Sequence, residues 1–95
     1  MNRKLHAALA ALVLLSLAAL PARAQTLKED FDLCNQTSGD GVVEACTKLI
    51  ESGQLKPYEL ADIYNKRGLA YEALGQHELS KQDLDRACQL DDTGC

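Results

Sequence analysis

The sequence predicts an all-α fold of two antiparallel helix hairpins, stapled by disulfides. Apolar residues recur at three-and-four spacing in four separate stretches, and no stretch alternates with the period of a strand. Turn-forming residues separate the stretches, and the links are short enough to make sequential helices neighbours. The fold is further constrained by four cysteines in a chain of 95 residues. A domain this small buries too little apolar surface to offset chain entropy comfortably, so covalent cross-links have a clear physical task.

Residues 1–24 read as a targeting segment rather than as part of the fold. Arg3 and Lys4 give a cationic start, and Ala7 to Leu20 is apolar apart from Ser16, short for a membrane span but suited to a leader. Pro21 ends that run, and Ala22-Arg23-Ala24 places small residues where a signal peptidase reads, so a Sec-type cut between Ala24 and Gln25 is expected. The expected location is periplasmic or secreted, with no stable membrane insertion after cleavage. Losing Arg3, Lys4 and Arg23 takes the formal charge from −4 to −7, with 7 basic and 14 acidic residues left. Such an acid excess argues against nucleic acid or an anionic lipid surface as partner, since both are bound through basic residues.

The domain is expected over residues 25–95. Its first helix starts at Thr26, read as a cap with Glu29 three residues on, and carries Leu27, Phe31 and Cys34 on one face. Thr37 to Gly41 is a turn by composition, with Asp40 placed to cap the second helix. That helix carries Val42, Val43, Cys46, Leu49 and Ile50, and Ser52-Gly53 closes it, so the first hairpin covers 25–53. Pro57 suits the first turn of a third helix, which runs to about Leu74 with Leu60, Ile63, Tyr64, Gly68, Tyr71 and Leu74 as its stripe and Gly75 as its stop. A fourth helix, from about His77 to Leu90, carries Ser80, Leu84, Ala87 and Cys88 on one side. Asp83, Asp85 and Arg86 are expected mostly outward.

The stretch from Ala61 to Asp92 resembles a tetratricopeptide repeat, and the matching residues fall in the family's order. Tyr64 stands at its large aromatic site, Gly68 at the glycine where the two helices touch, and Tyr71 at the tyrosine of the first helix. Ser80 takes the small site facing Gly68, Leu84 the large apolar site and Ala87 the alanine of the second helix. The chain departs from the pattern at Arg67, where leucine is usual, and at Asp92, where proline is usual. The resemblance makes 57–92 the repeat and the first hairpin an abbreviated copy, with Val42, Cys46 and Leu49 in place of Ser80, Leu84 and Ala87.

Four cysteines allow three pairings. Cys34 and Cys46 lie almost symmetrically about the Gly39-Asp40 turn, so an antiparallel hairpin brings them opposite each other. Cys88 and Cys95 pair by elimination, with Gly94 letting the tail fold back.

The sequence carries no recognisable catalytic constellation. A thiol oxidoreductase wants two cysteines two residues apart, and the spacings here are far longer. Zinc would need clustered ligands, yet His6 leaves with the leader and His77 stands alone in a turn, where solvation or capping is its ordinary role. Ser38, Ser52 and Ser80 have no histidine–carboxylate partner in any motif. Neither enzyme activity nor a cofactor or metal is expected.

The resemblance implies an interaction module whose first helix of the pair presents a binding face to a peptide or protein. Carried over, that face is Asp62, Asn65, Leu69, Glu72 and Ala73, with Lys66 beside them; the same positions are those a solvated helix face would expose. Asn65 would hydrogen-bond a backbone, Leu69 give apolar contact, and Asp62 with Glu72 favour a basic ligand. A self-associating repeat stack of the cell envelope is the second reading, and a thiol–disulfide redox protein the third.

Overall fold

The computed structural model describes residues 22–95, so the expected leader lies outside that range apart from its last three residues. Four helices follow in order: α1 (Ala22–Cys34), α2 (Val42–Glu51), α3 (Pro57–Ala73) and α4 (His77–Leu90), with a short 3-10 turn at Asp92–Gly94. Among the described residues there is no strand. Each helix packs on the next, and α1 also reaches α3.

Helix α1 begins earlier than the capping pattern suggests. Thr26 lies inside it, preceded by Ala22, Ala24 and Gln25, which have good helix propensity. The turn into α2 is made by backbone rather than by a side-chain cap. Thr37, Gly39 and Gly41 all take positive φ, Gly41 is itself the N-cap, and exposed Asp40 does not cap. A Cβ on Gly41 would come within 3.2 Å of Leu33 as well as being strained at φ 79°, so two separate reasons hold glycine there.

The other ends follow the sequence closely. Ser52 donates its N–H to Lys48 and Leu49 carbonyls before Gly53 turns left-handed. Pro57 opens α3, and Glu59 Oε1 accepts the Lys56 N–H at 3.0 Å. At its far end Gln76 donates to the Tyr71 carbonyl at 2.9 Å and Gly75 to that of Glu72 at 3.0 Å, the paired bonds of a Schellman motif around a left-handed Gly75.

The apolar core sits in the first hairpin. Cys34, Val42, Ala45, Cys46 and Leu49 are buried there against Ile63 and Ala70 of α3, with Leu27, Phe31, Leu33, Val43, Ile50 and Leu55 around them. The Cys34–Cys46 bridge runs through this core, its Cα atoms 5.0 Å apart, and Cys88–Cys95 ties the tail to α4 with Cα atoms 5.5 Å apart. Two disulfides are the chemistry of an oxidising compartment. Among the described residues no helix is long and apolar enough to cross a membrane.

Helix α3 has to serve two neighbours, and this changes its expected stripe. Ala61, Ile63, Gly68 and Ala70 are the buried residues, while Leu60, Tyr64 and Tyr71 are half-buried and Leu74 is exposed. The α3–α4 seam is made of small side chains, Gly68 facing Ser80 and Leu84. A Cβ on Gly68 would lie 3.2 Å from Leu84 and 3.3 Å from the Ser80 carbonyl oxygen. Leu84 is half-exposed and can yield, but the Ser80 backbone cannot. Gly68→Ala is therefore expected to be nearly neutral, its helix-propensity gain of up to about 1 kcal/mol offsetting the squeeze. Gly68→Val should cost roughly 1–3 kcal/mol by overpacking the same seam. Urea unfolding of both variants checks the contrast, and equal stability of the two would contradict a close helix approach at this position.

Candidate functional site

The element with the densest polar chemistry is the middle of α3. Arg67 grips Asp83 of α4 through two hydrogen bonds of 2.7 Å, from Nε to Oδ2 and from Nη2 to Oδ1, and its Nη1 donates to Thr47 Oγ1 of α2 at 3.1 Å. Thr47 in turn donates to the Val43 carbonyl at 2.7 Å. Arg67 also lies 5.4 and 5.7 Å from the ring centres of Tyr64 and Tyr71, which stand one turn before and after it. Hydrogen bonding to Asp83 comes first among the causes that raise its pKa, so the guanidinium is charged at every physiological pH. Three helices are thereby joined through one side chain.

Asp83 corrects the outward placement expected from the sequence: its side chain is 7% accessible and faces the α3–α4 seam. Since Ser80, Asp83 and Ala87 are spaced by three and four, Asp83 belongs to the buried stripe of α4. Arg67 on the stripe of α3 is the signal that called for such a partner, because a buried cation needs a counter-charge. This pair is structural; it is not open to a ligand.

The open site lies beside it, in a groove of about 470 Å³ at the free end of the second hairpin. Helix α3 supplies Tyr58, Ala61, Asp62 and Asn65; α4 supplies Leu84, Asp85, Ala87 and Cys88; the tail supplies Asp91, Thr93 and Cys95. The disulfide holds the tail in place as the third wall. Asp91 Oδ1 accepts hydrogen bonds from the Thr93 hydroxyl at 2.7 Å and its N–H at 3.1 Å, and these bonds lower the Asp91 pKa, keeping it anionic. Asp62 is paired with Lys66 Nζ at 2.6 Å, and the same ammonium reaches Asn35 Oδ1 at the end of α1.

Comparison with known protein families, with curated proteins and with solved structures finds no match. The site has to be read from its own geometry.

Of the face expected on α3, Asp62, Asn65, Leu69, Glu72 and Ala73 are exposed and Lys66 is half-buried. Asp62 and Asn65 enter the groove; Leu69 stands on the same side of the helix with 51% of its surface exposed. Glu72 is drawn to the turn instead, where its Oε1 meets His77 Nδ1 at 2.9 Å. Sequence reasoning missed Tyr58, Asp85 and Asp91, because the groove exists only once the tail is folded back. Among the described residues no three His, Cys, Asp or Glu side chains gather as a metal-binding group.

The His77–Glu72 pair gives an independent check on the turn. Hydrogen bonding to Glu72, then its charge, raises the His77 pKa above its ordinary 6.5. The contribution is therefore complete below 6.5 and is lost as pH rises through the higher folded value. Histidine ring protons followed by NMR should give a midpoint above 6.5 that falls back in Glu72→Gln. A midpoint unmoved by the substitution would mean the two side chains do not meet.

Proposed function

We propose that this chain is an exported, non-catalytic interaction module that holds a peptide or protein partner on its second helix pair. The observation that carries the reading is the division of α3. Its inner faces are taken up by α2 and α4, while Asp62 and Asn65 open into a groove and Leu69 stands exposed on the same side of the helix. A rigid scaffold with an open, chemically mixed surface is the ordinary build of a binding site. The likeness of Ala61 to Asp92 to a tetratricopeptide repeat supports the same conclusion, with 25–53 as an abbreviated pair before it. The leader over 1–24, cut between Ala24 and Gln25, would deliver the domain to the periplasm or beyond, where both disulfides form.

Self-association is the second reading, favoured by the exposed Leu74 and Leu79 at the apex of the second hairpin. The chain's net negative charge, −4 over its whole length, counts against it, since like charges repel across a self-complementary interface. Purification from the exported fraction, with light scattering and mass spectrometry, separates the two. A monomer carrying a stoichiometric partner is expected. A concentration-dependent oligomer would favour the second reading, and a bare monomer from the native source would remove the first.

A further inference from the structure

We propose that the groove between α3, α4 and the disulfide-held tail takes a lysine- or arginine-bearing segment of the partner protein. This deepens the interaction reading and rests on it. The floor is the buried Ala61 and Ala87 with half-exposed Leu84 beside them, and Asp62, Asp85 and Asp91 line the same groove. Among the residues lining the groove there is no cation. A long basic side chain matches both parts, because its methylene stem can lie along the floor while its head reaches the acids.

Two features of these acids favour an incoming cation. Asp91 is already fixed by Thr93, so its carboxylate is oriented before a ligand arrives and binding costs less ordering. Asp85 is exposed on α4 and makes no ion pair among the described residues. Asp62 is already paired with Lys66, whose ammonium also donates to Asn35 Oδ1, so the charge open to an incoming cation rests on Asp85 and Asp91. A second copy of this chain is a poor occupant because it brings the same acid excess. The volume, about 470 Å³, lies within the roughly 300–1,000 Å³ of ordinary ligand pockets, room enough for a long side chain.

The test uses the disulfide-intact exported protein, ¹⁵N-labelled, and two nonapeptides that alternate leucine with either lysine or glutamine. The lysine peptide should move the amide resonances of Ala61, Asp62, Asp85 and Asp91, weaken as salt is raised, and bind about tenfold more tightly than the glutamine peptide. Asp85→Lys, an exposed substitution that leaves the fold intact, should weaken it by about tenfold or more. Equal binding of the two peptides, perturbations confined to α1 and α2, or no binding at millimolar lysine peptide would each overturn the proposal. So would a dimer abolished by Asp85→Lys, since the groove would then receive a second copy. A native partner retained by Asp85→Lys would remove the groove while leaving the interaction reading in place. A bare native monomer would remove that reading itself.

Discussion

Asp83→Ala is expected to lower the free energy of unfolding by about 3 kcal/mol, toward the lower end of what breaking a buried ion pair costs. The lower end applies because the Arg67 side chain keeps 17% of its accessibility and can partly turn to water once its partner is gone. The loss arises less from the missing attraction than from what remains. Arg67 would stay between α2, α3 and α4 with one hydrogen bond, to Thr47, in place of three. A domain of this size has only about 3–5 kcal/mol from its core, so the variant should be largely unfolded at body temperature once its disulfides are reduced. Asp83→Asn keeps the shape but loses the charge and one acceptor, and should fall between wild type and Asp83→Ala. Arg67→Met combined with Asp83→Leu removes both charges at similar volume and should recover most of the loss. Urea denaturation of the three variants decides the matter: a double variant as unstable as Asp83→Ala would mean that packing, not an unpaired charge, sets the cost.

That pair also marks where the sequence could be read and where it could not. The end of α2 and both ends of α3 were legible because Gly53, Pro57 and Gly75 stop or start a helix through their own backbone limits, whatever surrounds them. The Cys34–Cys46 bridge was legible for a related reason, as symmetry about a short turn fixes which residues of a hairpin face each other. The start of α1 was not. A capping pattern at Thr26 competes with a helix-favouring run before it, and propensity carried the helix through to Ala22. Asp83 was misplaced because an acid was assigned to solvent by type, although its spacing from Ser80 and Ala87 placed it inward. The groove was half legible: Asp62 and Asn65 follow from the period of α3, whereas Asp85 joins them through the packing of α4 on α3 and Asp91 through the path of the tail, which no local pattern encodes.

The two disulfides should differ sharply in what they contribute. Cys34 and Cys46 are separated by 12 residues and fully buried in the core, and closing that loop stabilises by about 3 kcal/mol on the chain-entropy estimate. Replacing both with alanine removes that constraint and also leaves space where two sulfurs packed against Val42 and Leu49, so the measured cost should be about 3–5 kcal/mol. Cys88 and Cys95 close a loop of similar type, separated by 7 residues, but it reaches from the last turn of α4 to exposed Cys95 beyond the helix and runs outside the apolar core. The entropy estimate for that loop is only slightly smaller, yet the structure it anchors is a single 3-10 turn whose loss leaves the core intact. Cys88→Ala with Cys95→Ala should therefore lower the midpoint of thermal unfolding much less than Cys34→Ala with Cys46→Ala, while releasing the tail wall of the groove. Calorimetry on the two double variants tests the ordering. If the terminal pair proved as costly as the core pair, the tail would have to be part of the cooperative unit, and α4 would depend on it for more than the shape of one groove.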